Sequence, residues 1–255
     1  GTAGFAHVSC LVRQAQIAVE EAEEYNMHED RFEARWDQWN TCALCEQKYH
    51  GVVMCALGWA CWKTYISKPA DNREDVVRLR LYLIRAMRNL GVGLGHGELG
   101  PGEDALAVHK ANLDLIRRWA PGLKEDALSA EGNMAVCYSR LGRHHEALSM
   151  RRQHLTDTAA IFGETAGETF TCIINLTSSL TILGATGEPK YLAEARSILR
   201  DAMPKARSTL GSGARATLML NTAYAQALFA DDGSSLEDLD EAEAVLKDSS
   251  RLARQ

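Results

Sequence analysis

Asn133-Met134-Ala135-Val136-Cys137-Tyr138, followed by Leu141-Gly142-Arg143 and Glu146-Ala147-Leu148, is the stretch on which the fold turns. Apolar Ala127, Leu128, Met134, Ala135, Tyr138 and Leu141 keep close to the i, i+3, i+4, i+7 spacing of one buried helix face. Gly142 supplies a turn. A second helical pattern then runs from about His144 to Phe162, and Gly163 sits where a helix-ending glycine belongs. The stretch reads as a helical hairpin.

Outward from it, the same signals recur. Asn89-Leu90, Asn133-Met134, Asn175-Leu176 and Asn221-Thr222 are spaced by 44, 42 and 46 residues. The acidic–Ala pairs Asp104-Ala105, Glu146-Ala147, Glu194-Ala195 and Glu241-Ala242 are spaced by 42, 48 and 47. Two signals in phase predict about four hairpins over residues 73–255. No single hairpin buries its apolar face alone, so neighbours stack, and the expected fold is an all-α solenoid. Ala135, Ala147, Ala195 and Ala242 mark places where helices approach closely. The run GVGLGHGELGPG at residues 91–102 contains GxGxxG at Gly95, Gly97 and Gly100. A dinucleotide site needs a strand before that motif and a helix after it. A helical pattern precedes it here, so the run reads as a long hairpin turn. Pro204 lies inside a helical pattern and predicts a kinked or split helix.

Composition narrows the function. The 255 residues carry 28 Lys and Arg against 34 Asp and Glu, a net charge of −6, which argues against an electrostatic grip on nucleic acid. With 46% hydrophobic residues the chain is a globular one, not a disordered one. No apolar run reaches the roughly 18 residues of a membrane span. Seven cysteines are an odd number, so a fully paired disulfide framework is out. Free cysteines without a leader segment point to the cytoplasm or nucleus. The chain opens on Gly1 rather than Met, which reads as a processed, engineered or cut terminus.

The quoted stretch resembles tetratricopeptide repeats of the kinesin light chain type. The segments Phe162-Gly163-Glu164 to Glu168-Thr169 and Leu210-Gly211-Ser212 to Thr217 are similar to that family's linkers, with Ala166 and Ala214 in place of its usual His. The resemblance covers residues 73–255. It implies a protein or peptide ligand on the concave face, with Asn89, Asn133, Asn175 and Asn221 lining the groove. The residues themselves leave two readings open. An Asn amide can pair with a peptide backbone whatever its sequence, or it can tie neighbouring helices together. Arg140, Arg143, Arg151 and Arg152 are either a basic lip suited to acidic peptides or solvated surface.

Residues 1–67 form a different head, with four of the five tryptophans and five of the seven cysteines. His7-Val8-Ser9-Cys10 and Cys42-Ala43-Leu44-Cys45 each have the two-residue gap that lets imidazole or thiolate donors share one zinc ion. A redox CxxC needs a thioredoxin-like setting that is missing, and the bland reading makes His7 surface and Cys10 a small hydrophobe. Cys55, Cys61, Cys137 and Cys172 read as core thiols, His144-His145 as a solvated pair, and the acidic run Glu20 to Glu24 as a solvated helix face.

Gly1 to Leu11 resembles the middle of a RING-CH (variant RING) zinc finger, and Cys42 to Cys45 with Tyr49 resembles its closing pair, preceded by Trp36 or Trp39. The resemblance implies that His7 and Cys10 complete a first zinc site, and Cys42 and Cys45 a second. The family's first four cysteine ligands would lie before Gly1, and the gap between Cys10 and Cys42 is long for the family. The expectation is therefore two half-sites, with weak zinc binding or none in this chain. An intact finger would bind a ubiquitin-conjugating enzyme as part of an E3 ubiquitin ligase, with the repeats recruiting substrate. The alternative is a non-enzymatic adaptor with a structural finger. No catalytic side-chain grouping is placed well enough to argue a hydrolase or kinase.

Overall fold

The computed structural model describes residues 6–96 and 102–254. Within them the apolar stripes become eleven α-helices: α1 (Val8–Glu24), α2 (Glu29–Trp36), α3 (Gly51–Ile66), α4 (Arg73–His96), α5 (Glu103–Trp119), α6 (Lys124–Arg140), α7 (His144–Phe162), α8 (Gly167–Ala185), α9 (Lys190–Leu210), α10 (Arg215–Phe229) and α11 (Leu236–Leu252). The described residues hold no strand, only an isolated antiparallel bridge between Thr41 and Lys48. The fold is all-α, as the repeat spacing predicts. The chain divides into two compact units, Gly1–Cys137 and Tyr138–Gln255.

In the first unit, α3 and α4 lie side by side across the short link at residues 67–72. They pack backbone against backbone. A Cβ on Gly58 would stand 2.9 Å from the Leu90 Cα, and one on Gly93 would stand 3.0 Å from the Cys55 Cα. Gly91 serves the next seam, where a Cβ would strike the ring of His109 on α5. The glycine run is thus not a turn along its whole length. Residues 91–96 are the last turns of α4, where small residues permit close helix packing, and Gly97 and Gly100 of the GxGxxG motif lie outside the described residues.

Aromatic rings fill the space between α1, α2, α3 and α4. Trp36, Trp39, Tyr65 and Tyr82 are buried with Ala15 and Val19. Trp36 stacks on Tyr65 at 5.1 Å and lies 5.2 Å from Tyr82. Arg85 sits over Phe32 and Trp36 and pairs with Glu33, so its guanidinium closes the cluster toward water. Glu20 and Glu24 of the acidic run are exposed, as a solvated face requires, but Glu21 and Glu23 are half-buried. Glu21 pairs with Arg35, and Glu23 reaches both Lys68 and Arg78, tying α1 to its neighbours.

In the second unit α7, α8, α9, α10 and α11 stack in chain order. Their core centres on Phe170, Leu180, Leu199, Leu220, Tyr224 and Leu228. The α7–α8 and α9–α10 links share one device. The Thr169 hydroxyl donates to the Gly163 carbonyl and the Thr217 hydroxyl to that of Gly211, six residues back in both, while each glycine holds a positive φ. α11 starts on a capping box in which Ser235 and Asp238 satisfy each other's backbone N–H. Asp238 is held below the usual carboxylate range, chiefly by the Ser235 N–H and then by its hydroxyl. Pro204 does not split α9, which runs unbroken from Lys190 to Leu210. The missing N–H costs one helical hydrogen bond, while buried Leu199, Ala202 and Ala206 anchor the helix on both sides of it.

Gly58→Ala and Gly93→Ala force backbone at the α3–α4 seam to move, and each is expected to cost about 1–3 kcal/mol in urea unfolding. Gly167→Ala, where a Cβ meets open space, is expected to stay within about 1 kcal/mol of the parent.

Candidate functional site: the cysteine knuckle and the repeat asparagines

Two places carry the chemistry singled out in the sequence. The first is the loop between Asn40 and Tyr49, in the first unit. The Thr41–Lys48 bridge closes it, the Cys42 N–H donates to the Gln47 carbonyl at 2.9 Å, and the Glu46 N–H donates to the Cys42 carbonyl at 2.9 Å. Glu46 adopts a left-handed φ of 58°, which lets the chain double back directly after Cys45. The tight turn aims donors at one sulfur. The Cys42 thiol is pulled below its ordinary value by the N–H groups of Leu44 and Cys45 first, then by the Cys45 thiol and, more weakly, by the Tyr49 hydroxyl. Burial and the neighbouring Cys42 push the Tyr49 hydroxyl up. A thiol so placed gives up its proton more readily than a free one, which suits it to bind a soft metal ion or to react with an electrophile.

His7 and Cys10 occupy the start of α1. His7 is the residue before the helix, its carbonyl accepts the Cys10 N–H at 2.9 Å, and both side chains are exposed. Gly1 to Phe5, which carry part of the finger resemblance, lie outside the described residues. Cys10 and Ala43 line one groove of about 600 Å³, with Arg13, Ile17 and Arg35 along its walls. His7, Cys42 and Cys45 are not among the residues that line it. Among the described residues, however, no three His, Cys, Asp or Glu side chains gather closely enough to hold one ion. The remaining cysteines are buried, as expected of core thiols. Burial pushes both Cys61 and Cys172 up, and Cys172 packs its sulfur 3.6 Å from His154 Nδ1 and 3.5 Å from the Thr158 hydroxyl. That pairing was not legible in the sequence, since it joins α7 to α8.

The second place is the set of repeat asparagines, which the structure separates. Asn89 is buried beside the Cys61 thiol. Asn221 is 2% exposed and donates from Nδ2 to the buried Ser249 hydroxyl at 3.0 Å, a tie between α10 and α11. Asn133 is half-buried and Asn175 exposed. Counted from the shared Gly–Thr device, the place of Asn175 in the next hairpin falls on Ala223, two residues past Asn221, so the two asparagines are not equivalent positions.

Three of the four arginines form internal contacts. Arg143 pairs with Glu146 and lies over the Tyr138 ring, Arg152 pairs with Glu194, and Arg151 donates to the Asn175 carbonyl at 2.6 Å. The sequence reading passed over the solvent face of two adjoining helices, α8 and α10. Ile182 on α8, with Met219 and Phe229 on α10, stands exposed there beside Asn175, Thr222 and Gln226. The available signal was apolar residues at helical spacing outside the buried stripe. Among the described residues, no helix is long and apolar enough to cross a membrane.

No family model matches the chain, and no curated protein sequence matches it. Solved structures do. Two crystal structures of a Podosopora anserina kinesin-light-chain-type protein of nearly identical TPR-like repeats superpose with TM-scores of 0.57 and 0.56 at 14% and 15% identity. They cover 99% and 98% of this chain and 100% of their own. BtubC (BKLC) from P. vanneervenii superposes with a TM-score of 0.58 at 14% identity, over 98% of this chain and 92% of that one. At such identities the likeness is one of fold: this chain is an all-α, tetratricopeptide-like repeat protein. The finger resemblance rests on the residues alone.

Asn221→Ala leaves the Ser249 hydroxyl buried without its partner and is expected to cost about 1–3 kcal/mol. Asn175→Ala is expected to stay within about 0.5 kcal/mol, both read from urea midpoints. In a pH series, Cys42 is expected to alkylate with a midpoint below that of a free thiol, because its donors stabilise the thiolate. Tyr49→Phe removes one donor and should move that midpoint up.

Proposed function

We propose that this chain is a peptide-binding scaffold that works through its repeats. The carrying observation is the α8–α10 face, where exposed Ile182, Met219 and Phe229 stand among uncommitted amides. Apolar side chains offer anchors for a bound segment, and amides can pair with its backbone without demanding a sequence. The tetratricopeptide-like fold supports the same reading, since stacked helical hairpins form extended surfaces that suit peptides. Asn175 is the repeat asparagine best placed to take part, and Asn133 the next.

For the head, the finer reading is a RING-CH-type finger whose zinc ligands include His7, Cys10, Cys42 and Cys45. The knuckle geometry of Cys42 and Cys45 supports thiolate ligation. The His7–Cys10 pair offers two further donors at a helix start, but the four do not gather around one ion. On this reading each pair is half of a separate site. A finger of this type supplies no nucleophile. Its contribution to ubiquitin transfer would be to dock a ubiquitin-conjugating enzyme while the repeats hold the substrate. The second reading is an adaptor in which the finger serves structure only.

Panning a phage-displayed random peptide library on the intact chain tests the scaffold reading. Enriched peptides are expected, and Ile182→Ser with Phe229→Ser should weaken them by about tenfold or more. No enrichment over a blank surface defeats the reading. Metal analysis after chelator wash is expected to find little zinc here and full loading in a longer chain that supplies the other four ligands. Ubiquitin transfer by that longer chain favours the ligase. Its absence with every conjugating enzyme tried, while peptide binding persists, favours the adaptor.

A further inference from the structure

The sixteen residues of α3 carry a single charge, Lys63, and no acid. A helix that is apolar around its whole circumference belongs inside a structure. α3 is inside on one side only. Cys55, Leu57, Gly58, Cys61 and Tyr65 are buried, while Val52 is 69% exposed, Trp59 41% and Ile66 53%. Ala56 and Lys63 stand between those three. From Val52 to Ile66 the five residues recur at intervals of 4, 3, 4 and 3, a narrow stripe on the side turned away from Cys61 and Tyr65.

That rhythm is the seam of a two-helix coiled coil, with Val52, Trp59 and Ile66 at one core position and Ala56 and Lys63 at the other. Such a seam takes another helix, and α3 itself meets the requirement. When two copies run antiparallel, each kind of core position faces the other kind. In one register Ala56 faces Ile66 of the second copy and Trp59 faces its Lys63, and the two-fold axis repeats both contacts. Ile66 then fills the space above Ala56. The Lys63 ammonium lies against the face of the Trp59 indole, which accepts a cation without a carboxylate. Antiparallel pairing also sets the positive end of each helix dipole beside the negative end of the other. A lipid surface fits less well, because one lysine is a weak hold where anionic headgroups are recognised by clusters of basic residues. The stripe is about 21 Å long, which places the pairing among the smaller specific interfaces.

We propose that α3 is a dimerisation helix, and that the occupant of its exposed stripe is the same stripe of a second copy of this chain, running antiparallel. The inference does not rest on the peptide-binding reading, since α3 belongs to the first unit and the α8–α10 face to the second. Pairing joins two repeat arrays in one particle. A ligand with two recognised segments would then gain avidity with no new contact, provided its linker spans both.

Sedimentation velocity of the intact chain from about 1 to 200 μM tests the pairing. A reversible monomer–dimer equilibrium is expected. Trp59→Glu and Ile66→Glu should each raise the dissociation constant by about tenfold or more. Leu236→Ser, which removes an exposed apolar residue of α11, should leave it unchanged. Thermal melts check that every variant folds, and Ile66→Glu keeps the test open if loss of the Trp59–Trp62 ring contact unfolds the first variant. An Ala56→Cys chain mixed with an Ile66→Cys chain and mildly oxidised should give more cross-linked dimer than the parent. A monomer at every concentration, or a dimer unchanged in both folded stripe variants, overturns the proposal. A dimer without the mixed cross-link overturns the antiparallel pairing. Monomers that bind phosphatidylserine vesicles, and lose that binding with Ile66→Glu, overturn it in favour of a lipid surface.

Discussion

Helices in this protein meet where one of them has almost nothing at Cβ. Ala147, Ala195 and Ala242 are fully buried at the starts of the second helices of their hairpins, and Gly58 and Gly93 let α3 and α4 touch through their backbones. Close approach removes the space that water would otherwise hold and places larger side chains in the grooves to either side. Phe170, Leu199, Leu220 and Tyr224 fill those grooves in the second unit, and Trp36, Tyr65 and Tyr82 fill them in the first. A larger residue at any of these seams would part the helices and open the core beside it.

The same constraint accounts for the head. Its His7–Cys10 and Cys42–Cys45 pairs stand on surface elements, the start of α1 and the loop before α3, while Trp36, Trp39 and Tyr65 are buried in the aromatic cluster. The loop can hold a strained turn at Glu46 because Trp39 just before it and α3 just after it are anchored in the aromatic cluster. Chemistry on a short, exposed loop is thereby given a rigid base. Cys42 owes its acidity to backbone N–H groups that such a base holds in place.

In the second unit, charge is divided between two tasks. Arg152, Arg196 and Arg200 are spent on ion pairs that join separate elements, and the Arg200–Tyr224–Glu241 chain runs through a buried tyrosine. Arg151 is held just as firmly, but by neutral oxygens.

Sequence alone determined the helices, because the 3.6-residue period and the glycine that ends a helix are local properties of the chain. α7 begins at His144 and ends before Gly163, where the pattern put it. The core status of Cys55, Cys61, Cys137 and Cys172 was legible for the same reason, since each lies on an apolar stripe. Tertiary structure decided what each helix face meets. The repeated Asn looked equivalent at four positions, yet packing buries Asn221 against Ser249 of α11 and leaves Asn175 in solvent. Gly91 to Gly95 read as a turn by composition and became helix, because only packing against α3 and α5 shows why those positions must be small. Arg151 and Arg152 are neighbours in sequence and alike in chemistry; that one finds an acid and the other does not is set by which residues α8 and α9 bring to them.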